Sequence, residues 1–266
     1  MTKEPLIYGI YALCISMTVF LNYADLGFLR SSEKYAAESF SKNDRENEVK
    51  FIGFGIFILF IFSLLITLGF LYFAYNPEFI IKDLVNIGNK TIAANLLLIL
   101  AIFTPSTVLN RMVSMIFSIR LENFIYQRIS IITSIITLGS VFYFFTAASY
   151  QIVNYFLFLN IINFIGILVG MIIAKNRYNY NFNKLFSHIR FNKITYNKTK
   201  RLAYSGLFLM LSWIIFYELD QISIAKFLGA KTAAIYAIAF FSPNIFRTIF
   251  GIFFHHSLFE SITLLA

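Results

Sequence analysis

Residues 51–75, FIGFGIFILFIFSLLITLGFLYFAY, run for 25 positions without a charged side chain. At about 1.5 Å per residue, a helix of that length outlasts the roughly 30 Å hydrocarbon core of a bilayer. Comparable apolar runs recur along all 266 residues, so the constraint applies to the chain and not to one segment. Mean hydropathy is +0.73, with 59% hydrophobic and 13% charged residues. A water-soluble domain of that composition lacks the polar groups to cover its surface.

Seven segments read as spanning helices: 8–28, 51–75, 92–119, 125–148, 152–174, 202–228 and 232–254. Helices satisfy their own backbone groups in lipid, and the ten-residue alternating segments of a barrel do not occur. The expected fold is therefore all-α, a polytopic membrane helix bundle. Fifteen Lys and Arg residues fall in 29–50, 120–128 and 175–201, against Lys3, Lys82, Lys90, Lys226 and Lys231 in the alternate loops. The positive-inside rule makes the fifteen-cation side cytoplasmic, in a plasma membrane, and places the N-terminus outside. The N-terminus, MTKEPLIYGIYALCISM, reads as carrying no cleavable leader.

The single cysteine, Cys14, lies in an apolar run and excludes an intramolecular disulfide or a cysteine-based metal site. No metal site, cofactor site or catalytic grouping is expected: there is no HExxH spacing, no Ser/His/Asp set and no glycine-rich phosphate loop. The +9 formal charge would suggest nucleic acid in a soluble protein, but loop asymmetry already accounts for it, so no nucleic-acid partner is expected. In 175–201, Phe182, Leu185, Phe186 and Ile189 recur at helical spacing among eight cations. This predicts a basic amphipathic segment on anionic headgroups, or an ordinary topology-setting loop. Ile80, Leu84 and Ile87 predict a short interfacial helix within 76–90.

A weak internal repeat relates Ile10-Tyr11-Ala12 to Ile235-Tyr236-Ala237, both near the external start of an inward-running helix. The copies run in the same direction, and the first lacks the full helix that precedes the second.

Charges inside apolar runs are the functional candidates, since an acid or base near the bilayer centre costs roughly 2.5–3.5 kcal/mol. Glu218 and Asp220, in LFLMLSWIIFYELDQISIAKFLGA, lie in the outer third of their segment and about 200° apart around a helix. Asp220 is expected to face an aqueous cavity and Glu218 a neighbouring helix or headgroups; the alternative is a pair of interfacial acids reaching water. Thr104, Thr107, Arg111, Ser114 and Ser118 form a polar stripe, and Tyr236, Pro243 and Arg247 share another face. Guanidinium groups suit phosphate oxygens, so Arg111 and Arg247 lining one cavity could hold a diphosphate; snorkelling to inner headgroups is the alternative. Ser130, Thr133, Thr137, Ser140, Asn160 and Asn163 extend the polar positions. Gly166 and Gly170 form a GxxxG packing step.

Two stretches, YGIYALCISMTVFLNYADLGFLRSSEKYAAE (8–38) and YSGLFLMLSWIIFYELDQISIAKFLGAKTAAIYAIAFFSPNIFRTIFG (204–251), resemble the O-antigen and capsular polysaccharide flippases of the multidrug/oligosaccharidyl-lipid/polysaccharide exporter superfamily. The resemblance implies helices 2 to 8 of a twelve-helix, two-lobe fold. Residues 1–174 would be a partial N-terminal lobe lacking its first helix, 175–201 the cytoplasmic linker, and 202–266 the start of a truncated C-terminal lobe. The tail FFHHSLFESITLLA departs from the family pattern, as a one-base frame shift over Phe254–Ser257 would produce.

The function implied is translocation of an undecaprenyl-diphosphate-linked oligosaccharide, without enzymatic activity. Arg111, Arg247, Tyr236 and Asn163 would contact substrate, and Asp220, Glu218 and Asp25 would couple transport to a proton or sodium ion. The implied partners are lipid-linked oligosaccharide diphosphate, membrane lipids, the coupling cation and a glycan polymerase. Alternatives are a drug or metabolite antiporter of the same superfamily, with a smaller cavity and fewer cations, or a polytopic glycan polymerase or acyltransferase, which short external loops disfavour.

Overall fold

The computed structural model describes the chain apart from residues 1–4, 22–24, 26, 82–83, 85, 147–149, 214, 216–218 and 264–266, and apart from the side chains of 19–20, 209–210, 213, 247–249 and 251–263. The described residues are almost entirely helical, with no named strand and one isolated bridge between Phe145 and Tyr150. Ten helices follow in order: α1 (Pro5–Leu21), α2 (Phe28–Ser41), α3 (Arg45–Tyr75), α4 (Ile87–Ser118), α5 (Asn123–Phe144), α6 (Ile152–Tyr178), α7 (Phe182–Ser187), α8 (Lys193–Trp213), α9 (Leu219–Leu228) and α10 (Ala230–Thr263). A single 3-10 turn, Pro77–Phe79, sits between α3 and α4.

Among the described residues four helices, α3 to α6, are long and apolar enough to cross a membrane, and α1 is a shorter apolar helix. The chain is a helical membrane bundle.

The helix ends obey local chemistry. Asp44 caps α3 by accepting the Asn47 amide at 3.1 Å, and Glu46 and Glu48 in the first turn suit the positive end of the helix dipole. Asn86 caps α4 through Gly88 N at 2.9 Å. At the other end of α6, Lys175 and Arg177 occupy the last turn before Asn179, which adopts the left-handed conformation.

Two expected segments have other described bounds. Of the predicted helix 8–28, α1 covers the part up to Leu21, and Phe28 begins α2 after Gly27. That residue has φ 77°, and a Cβ there would lie 2.5 Å from the Ala203 carbonyl oxygen. The predicted helix 202–228 overlaps α8 and α9, and α8 begins nine residues early because Thr195, Thr199 and Ala203 pack inward and Ser31 Oγ donates to the Thr199 carbonyl at 3.2 Å. Gly229, at φ 88°, separates α9 from α10.

The three basic segments meet at one end of the bundle: Arg120 pairs with Glu48, Arg177 pairs with Glu122, and α7 packs on α3, where a Cβ on Gly53 would lie 2.4 Å from the His188 carbonyl oxygen. The apolar face expected to meet lipid at 182–189 is largely turned onto protein. Leu185 is fully buried and Phe182 and Ile189 pack beside it, leaving Phe186 exposed. At the opposite, cation-poor end, Ile80 and Leu84 are buried in the core while Ile87 is exposed, so the expected shared face of 76–90 is only partly realised.

The interior contains two apolar cores. One lies at the cation-poor end, built from α1, the last turns of α3, the first half of α4 and parts of α6, α9 and α10. The other lies at the basic end, built from α2, the first half of α3, the second half of α4, α5, the end of α6 and α7. Residues 102–107 of α4 contribute to neither as buried apolar side chains, and a cavity opens at this level.

Candidate functional site

Between the two cores, α1, α4, α5 and α6 enclose a cavity of about 370 Å³. Its wall mixes apolar side chains such as Phe103, Ile129 and Phe156 with polar ones: Thr104, Thr107, Asn110 and Arg111 from α4, Ser130 and Thr133 from α5, Asn160 and Asn163 from α6, and Thr18 from α1. The sequence places them there by helical periodicity, since 104, 107 and 111 lie on one face of α4 and 160 and 163 on one face of α6.

The hydroxyls satisfy their protons within their own helices. Thr104 Oγ1 donates to the Leu100 carbonyl at 2.7 Å, Thr107 Oγ1 to the Thr104 carbonyl at 2.7 Å, and Thr133 Oγ1 to the Ser130 carbonyl at 2.9 Å. Tyr126 donates its hydroxyl proton to Asn110 Oδ1, and Asn160 donates its amide to the Phe156 carbonyl at 2.8 Å. The hydroxyl oxygens therefore keep lone pairs as acceptors, while Arg111 and the amide of Asn163 supply donors. Such a surface suits a polyhydroxylated solute carrying an anionic group.

Close packing shapes the wall. A Cβ on Gly166 would lie 2.8 Å from Thr133 Cγ2, and one on Gly170 would lie 2.8 Å from Tyr126 Cε2 and 2.9 Å from Val113 Cγ1. The GxxxG step thus brings α6 onto α5 and α4 at the cavity's lower edge.

The described predicted site residues separate into three places. Arg111 and Asn163 line the cavity together. Asp25 lies at the α1–α2 corner, 4% exposed, with Oδ2 accepting the Leu29 amide at 3.1 Å, and the positive charge of Arg111 acts on its carboxylate. Ser114 and Ser118, expected to continue the stripe, do not line the cavity, because the basic-end core closes over α4 beyond Met112.

Asp220 and Tyr236 form a second pair outside this cavity: Tyr236 Oη donates to Asp220 Oδ2 at 3.1 Å, joining α9 to α10, and Asp220 is exposed. Asp220, expected to face an internal aqueous cavity, is not among the residues that line the cavity shared by Arg111 and Asn163. Glu218 and the side chain of Arg247 lie outside the described residues.

Two features escaped the sequence reading. Asn110 and Tyr126 hold α4 to α5 at the cavity floor; their signal was the pairing of amide and phenol in facing apolar helices. Pro105, within α4, lacks the N–H that would bond the Ala101 carbonyl, and Ser63 of α3 reaches the adjacent Thr104 carbonyl at 3.5 Å.

Among the described residues no group of three or more His, Cys, Asp or Glu side chains is arranged to hold a metal ion. No protein-family model, curated protein or solved structure matches the chain.

Proposed function

We propose that the chain serves in moving a lipid-linked oligosaccharide diphosphate across the plasma membrane, with the saccharide's hydroxyls in the polar cavity and a phosphate on Arg111. The single observation that carries this reading is an arginine in a hydroxyl- and amide-lined cavity between two apolar cores. Arg111 lines the cavity half-buried, where its forked guanidinium fits phosphate oxygens.

In this reading the basic end is cytoplasmic, the start of α1 is external, and seven helical segments correspond to helices 2 to 8 of a two-lobe exporter. The arrangement of α1 and α10 favours a two-lobe plan. These are the helices carrying the Ile-Tyr-Ala repeat, they both begin at the cation-poor end, and a Cβ on Gly9 would lie 1.9 Å from the Ala230 carbonyl oxygen. Asp220, hydrogen-bonded to Tyr236 on the α9–α10 hairpin, is the coupling acid for a proton or sodium ion, and Arg247 is the second phosphate ligand.

The test is expression in a flippase-deficient strain, measuring lipid-linked glycan in the outer leaflet. A charge-assisted contact contributes about 1.5–3 kcal/mol, so Arg111→Ala should weaken substrate binding by roughly 10- to 150-fold at unchanged membrane abundance. Arg111→Lys, which keeps charge and loses the fork, should fall between. Undiminished transport in both Arg111→Ala and Arg247→Ala would remove the phosphate assignment.

A further inference from the structure

A second cavity, of about 490 Å³, lies at the cation-poor end between α1, α3 and α9. Met17, Ile66, Phe70, Phe73 and Ile222 line it, and Lys226 is the charged residue at its margin. We infer that this crevice binds an anionic phospholipid of the surrounding bilayer, one acyl chain lying along Gly69 and the phosphate meeting Lys226.

Three observations carry the assignment. First, the crevice is open space: a Cβ on Gly69 would meet nothing within 4 Å, whereas one on Gly53 or Gly55, in the first half of the same helix, would collide with its neighbours. An apolar gap of this size next to lipid is not stable empty, because its lining loses its dispersion contacts, and it offers water no partners.

Second, its length suits part of an acyl chain. From Phe73 back to Ile66 it extends seven residues along α3, roughly 10 Å, or about a third of the hydrocarbon thickness measured from the cation-poor end.

Third, the charge stands at the mouth. Lys226 Nζ donates to the Phe79 carbonyl and lies 4.5 Å from the centre of the Phe79 ring, which leaves two of its three ammonium protons for other acceptors. Among the described residues no carboxylate forms an ion pair with it. A cation at the rim of an apolar slot complements a lipid phosphate above an acyl chain. The inference stands apart from the transport reading, since it uses none of the residues of the polar cavity.

The experiment uses the full chain purified in detergent and stripped of lipid. Phosphatidylglycerol and phosphatidylcholine with identical acyl chains are added separately, and retained lipid is counted by native mass spectrometry beside the unfolding midpoint. Phosphatidylglycerol should be retained at least tenfold more than phosphatidylcholine and should raise the midpoint selectively. Lys226→Gln should abolish the selectivity, and Gly69→Phe, which fills the slot, should abolish retention of both lipids.

If Gly69→Phe lowers the lipid-free midpoint, Lys226→Gln alone decides. Equal retention of the two lipids by the unsubstituted chain overturns the inference, as does unchanged selectivity in Lys226→Gln. Two further outcomes also overturn it: a dimer that Gly69→Phe dissolves, which makes the occupant a second copy, and preference for a polyprenyl phosphate over phosphatidylglycerol, which makes it the transported lipid.

Discussion

Arg120 and Glu48, 72 residues apart in sequence, form a 2.7 Å ion pair in which the side chains are 4% and 0% exposed. The pair joins the end of α4 to the start of α3. Its remaining groups are also used: Arg120 Nη1 donates to the Ile116 carbonyl at 2.7 Å, and Arg45 Nη1 meets the second Glu48 oxygen at 3.2 Å. The rings of Phe40, Tyr178 and Tyr180 lie around the Arg120 guanidinium, with centroids 4.8–5.3 Å away.

Removing one partner of such a pair strands the other charge at a cost of about 3–5 kcal/mol. Glu48→Ala should therefore lower the unfolding midpoint sharply in detergent, measured by scanning fluorimetry. The double variant Glu48→Leu with Arg120→Met should recover most of the loss, because the desolvation penalty disappears with the charges. A double variant that loses as much as the sum of the singles would show no coupling between Glu48 and Arg120 and would overturn this reading.

Glu122 and Arg177 make the neighbouring clamp between the starts of α5 and the end of α6, with two 2.7 Å hydrogen bonds and a third from the Tyr178 hydroxyl. These bonds hold the Glu122 carboxyl down at about 2, Arg177 being the largest cause. An unfolded glutamate titrates near 4.3. A carboxyl depressed in the folded state gives stability that is fully present above the unfolded value and is lost as pH falls through the folded one. The contribution of Glu122 should be constant from pH 7 to about 5 and decline between about 4.5 and 2. Comparing unfolding midpoints at pH 7 and pH 3 checks this: Glu122→Gln should lose less on acidification than the unsubstituted chain.

Gly170 and Gly139 are both glycines in membrane helices, and they should respond oppositely to alanine. A Cβ on Gly170 collides with Tyr126 and Val113, so Gly170→Ala must push α6 away from α4 and α5, an overpacking cost of about 1–3 kcal/mol. At Gly139 nothing lies within 4 Å, and Gly139→Ala should be neutral or should stabilise α5 by up to about 1 kcal/mol. Unfolding midpoints of the two variants, measured side by side, decide the matter.

The bundle was legible from hydropathy because a run such as 51–75 has few folds open to it, and loop charge alone sorted the basic segments that the structure gathers at one end. Helical periodicity likewise put Thr104, Thr107 and Arg111 on one face, and they share a wall with Asn163. What remained hidden depends on distances between helices. Periodicity could not say that the stripe ends at Arg111, because the closing of the core over Met112 is a tertiary event. Nor could it separate Asp220 from the cavity: the carboxylate is held by Tyr236 across the Gly229 turn, and the turn's direction is not written in hydropathy. Glu48 and Arg120 looked like ordinary loop charges, since nothing local marks a pair 72 residues apart as buried.

The transport reading requires water in the cavity, and α6 offers an internal comparison. Asn163 lines the cavity, whereas Ile165, two residues on, is 48% exposed and points elsewhere around the helix. Cys14 is buried in the core near the cation-poor end, so Cys14→Ala provides a background without thiols. In it, Asn163→Cys and Ser130→Cys should react with a membrane-impermeant thiol reagent, because the reactive thiolate forms only where water reaches. Ile165→Cys, facing acyl chains, should react at least tenfold more slowly. A soluble oligosaccharide diphosphate should slow the two cavity positions and leave Ile165→Cys unchanged. Equal, slow labelling at all three positions would mean that hydrocarbon fills the space around Arg111, and the transport reading would fall.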